Sequence, residues 1–124
     1  MSEKPLILVV DDSELQGLKV AKDLAATGYP AAYVNNAKEA LEYLSENSSI
    51  EICIADIHMP EMNGLTFASK IRTELQRPDI KIIILSSHSK AELEEQAEGL
   101  DIFSWLVKPL NTAALAKVLD KARA

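Results

Sequence analysis

The chain holds a single cysteine, Cys53, so no intramolecular disulfide can staple it. That residue lies inside the apolar run Ile52-Cys53-Ile54-Ala55, where a buried, reduced, intracellular thiol is the expectation. Basic residues are in deficit. Thirteen Lys and Arg against 19 Asp and Glu leave a formal net charge of −6, which argues against direct nucleic-acid binding, whose affinity comes from clustered cations. No long hydrophobic run is present: the polar start Met1-Ser2-Glu3-Lys4-Pro5 leads into only five apolar residues, too few for a signal peptide or a membrane span. A cytoplasmic protein with no membrane contact is therefore expected. A glycine-rich phosphate loop is also missing, which disfavours a flavin-type cofactor binder. No linker, low-complexity tract or internal repeat divides the 124 residues, and one domain over 1–124 is expected.

What is present is an ordinary globular composition, 48% hydrophobic and 26% charged, in a regular alternation. Short apolar runs recur at 6–10, 31–34, 51–55, 81–85 and 103–107, with helical periodicity between them. Ala37, Ala40, Leu41 and Leu44 repeat at helical spacing, as do Leu115, Val118, Leu119 and Ala122; Ala68, Ile71 and Leu75 form a narrower stripe. Ser13 with Gln16 and Ser89 with Glu92 fit capping boxes, and Asn36 and Asn111 are placed to cap further helices. Gly28 and Gly99 stand where the first and fourth helices should stop. Runs that are apolar almost throughout suit strands covered on both faces. The pattern predicts a doubly wound α/β sandwich of five strands and five helices.

The chemistry lies at the ends of the runs. Asp11-Asp12 closes the first, Asp56 the third and Lys108-Pro109 the fifth. If these are neighbouring parallel strands, three acids and one ammonium meet where an α/β sheet keeps its ligand site. Carboxylates about 5 Å apart repel by about 3 kcal/mol per pair at an effective dielectric of 20. A divalent cation relieves this, and hard oxygen ligands favour Mg²⁺; protonation of one acid is the weaker alternative. Beside such a cation Asp56 can act as a nucleophile toward a phosphoryl group, with Lys108 as a mobile point charge and Ser86 as a hydroxyl donor.

Asp11-Asp12, Asp56 followed by Met59-Pro60-Glu61-Met62-Asn63-Gly64, Ser86 and Lys108-Pro109 together resemble the CheY-like receiver domain of two-component response regulators. The resemblance spans essentially the whole chain. It implies a flavodoxin-like strand order 2-1-3-4-5 and a phosphoacceptor that assists its own phosphorylation and dephosphorylation without being a turnover enzyme. It implies Mg²⁺ held by Asp11, Asp12, Asp56 and the main-chain carbonyl of His58, and a phosphoryl group donated to Asp56 by a histidine kinase or phosphotransfer protein. Lys108 would contact that group, and Ser86 would swing toward it. A downstream target or output domain would read the face made by the fourth helix, fifth strand and fifth helix. The resemblance further implies a cis Lys108–Pro109 bond and, at Gly64, a backbone conformation that a Cβ disfavours.

Some positions depart from the family pattern. Trp105 stands where receivers usually carry a Tyr or Phe switch, and either a switching ring or static packing fits it. His58 and His88 flank the acceptor and the hydroxyl; they alter the lifetime of the acyl phosphate or are merely exposed loop residues. The fourth predicted helix has few apolar anchors and like charges at Glu94–Glu98 and Glu92–Glu95, so it is expected to be the least secure helix. Asp101-Ile102-Phe103-Ser104 replaces the small residues receivers often place before the fifth strand, which leaves that loop's geometry open.

Overall fold

The computed structural model describes residues 6–59, 61–87, 95, 97–108 and 111–123. In chain order it contains β1 (Ile7–Val10), α1 (Glu14–Ala26), β2 (Ala31–Val34), α2 (Ala37–Glu46), β3 (Ile52–Asp56), α3 (Gly64–Thr73), β4 (Lys81–Ser86), β5 (Ile102–Val107) and α4 (Thr112–Arg123). The helix expected after Ser89, with its Glu92 cap and its like-charge pairs, lies outside the described residues, as do His88 and Pro109. The last described helix, α4, is thus the fifth of the predicted series. Among the described residues, no helix is long and apolar enough to cross a membrane.

All strand pairs are parallel, in the order β2-β1-β3-β4-β5. The architecture is the flavodoxin-like one. Alternate residues of the central strands supply opposite faces of the sheet. Leu8, Val10, Cys53, Ala55, Ile82 and Ile84 pack with α2 and α3, whereas Ile7, Val9, Ile52, Ile54, Ile83 and Leu85 pack with α1 and α4. This is why β1, β3 and β4 read as unbroken apolar runs. Burial in the first layer pushes the Cys53 thiol pKa far up and leaves it an inert apolar filler.

Local signals set the helix ends. Asn36 Oδ1 accepts from the Glu39 amide at 2.8 Å, and Asn111 Oδ1 accepts from Ala113 and Ala114 at 2.8 and 3.2 Å. α1 ends in a Schellman turn: the Tyr29 amide reaches the Leu24 carbonyl and the Gly28 amide reaches Ala25, with Gly28 at φ +94°. The stripe expected on α3 is too narrow. Besides Ala68 and Ile71, the helix buries Leu65 and Phe67, because its first turn abuts the end of β3.

At the N-terminal end of the strands two arginines gather the loops. Arg72 donates to the carbonyls of Leu100, Arg77, Ile80 and Asp101 at 2.8 to 3.0 Å. Arg77 donates to Leu44, Ser48 and Ile50 at 2.9 to 3.3 Å and pairs with the Asp79 carboxylate at 3.0 Å. These bonds answer the question left by the loop before β5. Asp101 adopts φ +53°, a left-handed conformation Asp tolerates better than bulkier residues, and Arg72 holds its carbonyl.

Candidate functional site

Register brings the acids together. Val10 pairs with Ala55, so Asp11 and Asp56, one residue further along β1 and β3, emerge side by side at the C-terminal edge. Asp11 is 2% exposed and Asp56 6%, while Asp12 faces solvent. Carboxylate oxygens of Asp11, Asp12 and Asp56 all lie within 4.8 Å of one another. β4 and β5 complete the edge. Asp56 pairs with Leu85 and Ser86 with Val107, which sets Lys108 just beyond the strand, its amide donating to the Ser86 carbonyl at 2.8 Å. The Lys108 ammonium reaches across to Asp56 Oδ2 at 3.0 Å.

Among the described residues, one ammonium faces three carboxylates and does not balance them. Burial raises the Asp11 pKa above the ordinary 3.8; the nearby Asp56 and Asp12 charges push the same way, and the Ser13 amide and Lys108 oppose them. The donor set is entirely hard oxygen and carries surplus negative charge, which fits Mg²⁺ rather than a soft transition metal.

Main-chain donors orient these side chains. The Ser13 amide binds Asp11 Oδ1 at 2.9 Å, and the His58 amide binds Asp56 Oδ1 at 3.3 Å. His58 is itself exposed. Ser86 ends β4 at 1% exposure. Trp105 pairs with Ile84 and packs, half-buried, on the α2–α3 side.

Two expectations need correction. Gly64 does not occupy a left-handed conformation; it opens α3, and the positive-φ glycines among the described residues are Gly28 and Gly99. Its requirement is close approach. A Cβ there would fall 2.6 Å from the Asp56 carbonyl oxygen, and the Gly64 amide donates to Ile57 at 2.9 Å. The capping box at Ser13 is only half formed. Ser13 Oγ accepts from the Gln16 amide at 3.3 Å, but the Gln16 side chain does not return to Ser13; its Oε1 accepts from the Lys108 ammonium at 3.1 Å. The stronger, charge-assisted partner wins.

Sequence reasoning also missed Tyr33. Its hydroxyl donates to the Asp11 carbonyl at 2.7 Å, and its ring lies against Gly17. Burial raises its phenol pKa, with Asp11, Glu14 and Asp12 adding to the shift. The available signal was a lone glycine inside a helical pattern, which usually marks a packing requirement.

A family model for the response regulator receiver domain matches residues 7–120. The chain belongs to that family. Among relatives of this receiver domain, the chemotaxis protein CheY1 of Helicobacter pylori is 31% identical over 116 residues, covering 92% of this chain and 93% of that protein. The two-component response regulator ORR3 of Oryza sativa is 27% identical over 123 residues, covering 95% and 90%. Among solved structures, the chemotaxis protein CheY4 of Vibrio cholerae superposes with a TM-score of 0.88 at 28% identity, covering 96% of this receiver and 98% of that chain. A response regulator receiver protein from Pseudomonas putida superposes at 0.87 with 28% identity, covering 98% and 99%.

Proposed function

We propose that residues 1–124 form a single receiver domain that works as a phosphorylation-activated switch in the cytoplasm, with Asp56 as the acceptor. The observation that carries this reading is the convergence of three carboxylates within 4.8 Å with an ammonium 3.0 Å from Asp56. Asp11, Asp12 and Asp56, with the His58 carbonyl, would hold Mg²⁺, which when bound neutralises charge on an incoming phosphoryl group.

A carboxylate oxygen of Asp56 attacks phosphorus. The new bond is Asp56 oxygen to phosphorus, and the bond broken joins phosphorus to the donor's imidazole nitrogen, which keeps the electron pair and takes up a proton. Lys108 moves its ammonium from the Asp56 carboxylate to a phosphoryl oxygen, and Gln16 keeps a hold on it. A groove of about 460 Å³, lined in part by Asp11, Gln16, Leu85 and Lys108, gives room on the α1 side of the acids.

Ser86 turns its hydroxyl toward the phosphoryl group, and Trp105, opposite Ile84 on the neighbouring strand, follows by repacking. The population then shifts toward a state preferred by a protein target that reads the face expected from the fourth predicted helix, β5 and α4. Histidine kinases or phosphotransfer proteins are the donors this chemistry suits. Phosphorylation by the domain's own residues is acceptor chemistry, not turnover.

Acetyl phosphate with Mg²⁺ tests the reading directly. Intact-mass analysis should show one added phosphoryl group in the wild type and none in Asp56→Asn or in the presence of a chelator. Equal labelling of Asp56→Asn would remove Asp56 from its role.

A further inference from the structure

We propose that Tyr33 is a positioning residue for the acid cluster: its hydroxyl fixes the plane of the Asp11–Asp12 peptide, and Gly17 leaves the space its ring needs to do so. The inference rests on the reading that these acids hold a divalent cation.

Tyr33 is the third residue of β2 and pairs with Val9, so it lies two residues short of the level of Asp11 on the neighbouring strand. Its ring leans toward α1. A Cβ built on Gly17 would fall 2.1 Å from Tyr33 Cε1, 2.7 Å from Cδ1 and 2.9 Å from Cζ, far inside any real contact. Gly17 is buried in the body of α1, where glycine is unfavourable for the helix. The space it leaves is filled by this ring.

The ring ends on one oxygen. At 2.7 Å the hydroxyl donates to the Asp11 carbonyl, which belongs to the peptide joining Asp11 to Asp12. That peptide lies past the last residue of β1, where the regular ladder has ended. Its orientation sets the direction in which the Asp12 side chain leaves the chain, and therefore where the exposed Asp12 carboxylate comes relative to the buried Asp11. A neutral hydroxyl does this without adding charge to an already anionic cluster.

Mn²⁺, a hard divalent probe, tests this in the full chain, with free ion counted from its electron paramagnetic resonance signal. Tyr33→Phe keeps the ring and removes the donor; it should weaken Mn²⁺ binding by about tenfold, the scale of losing a partner that orients a ligand. Gly17→Ala displaces the ring and should weaken binding similarly; its clash should also lower the metal-free unfolding midpoint, whereas Tyr33→Phe, which keeps the ring in place, should move that midpoint much less. The double variant should bind no more weakly than the weaker single one. Affinity within about twofold of wild type in either single variant would overturn the proposal. Asp56→Asn separates the two levels of argument. If wild type binds no Mn²⁺, or Asp56→Asn binds it equally well, the cation reading itself fails and this inference with it.

Discussion

The two ends of the sheet treat charge in opposite ways. At the N-terminal end, Arg72 and Arg77 direct their guanidinium donors to main-chain carbonyls in the last turn of α2 and in the loops before β3, β4 and β5, with Asp79 as an acidic partner of Arg77. At the C-terminal end, three carboxylates converge on one Lys108. The first end is closed electrostatically by groups of this chain. The second, among the described residues, is left with surplus negative charge. At 4.8 Å, two like charges repel by about 3.5 kcal/mol at an effective dielectric of 20, and Lys108 offsets only part of that. Native stability is about 5–15 kcal/mol, so a domain of this size tolerates such repulsion only where the rest of the fold is well secured.

The contrast is broken most severely at the secured end. Arg72→Ala leaves three part-buried carbonyls, those of Leu100, Arg77 and Ile80, without their donor. A loss of about 3 kcal/mol is expected, read from the urea unfolding midpoint. At the charged end the same measurement should move the other way. Asp11→Asn retains an oxygen for the Ser13 amide while removing a buried charge, and should stabilise the metal-free protein by about 1–2 kcal/mol. A destabilised Asp11→Asn would show that the cluster is not repulsive.

The smallest effect is a pH dependence with two signs. The raised Asp11 pKa means that the folded state holds its proton more tightly than the unfolded chain, so this contribution is full below the ordinary 3.8 and is lost as pH rises through the folded value. Asp79 behaves oppositely. The Arg77 hydrogen bond holds its pKa below 3.8, so its contribution is present above that value and is lost as pH falls through the folded one. Metal-free unfolding midpoints from about pH 7 down to about pH 3 should therefore rise slightly before they fall. Asp11→Asn should remove the rise, and Asp79→Asn should soften the fall.

The secured end was largely illegible in the sequence, and the charged end largely legible. Asp11, Asp12, Asp56 and Lys108 each end an apolar run, and parallel pairing converts that shared position into proximity. Arg72 and Arg77 bind carbonyls, which every residue carries, so no spacing rule could have named their partners. Gln16 was read through a local rule, the capping box, and the structure gave its side chain to a residue 92 positions away. Gly64 was marked for the right residue type with the wrong cause, because the nearness of the Asp56 carbonyl is a tertiary fact. Gly17 signalled a packing requirement but not its partner, because the Tyr33 ring that fills the space comes from another element.

The irregularity in β5 has a reach beyond its own strand. Ile82 pairs with Ile102, yet Ile83 pairs with Ser104, so Phe103 is an extra residue, exposed at the sheet edge with Lys81 Nζ 5.9 Å from its ring centroid. It inverts the parity of everything downstream, which is how Ile102 and Trp105 come to share one side of the sheet while Leu106 serves the other. Were Phe103 instead drawn into the ladder opposite Ile83, every later residue of β5 would slip by one position. Trp105 would change layers, and Lys108 would leave β5 aimed away from Asp56: one looped-out residue at the far end of an edge strand keeps in aim a centre it never touches.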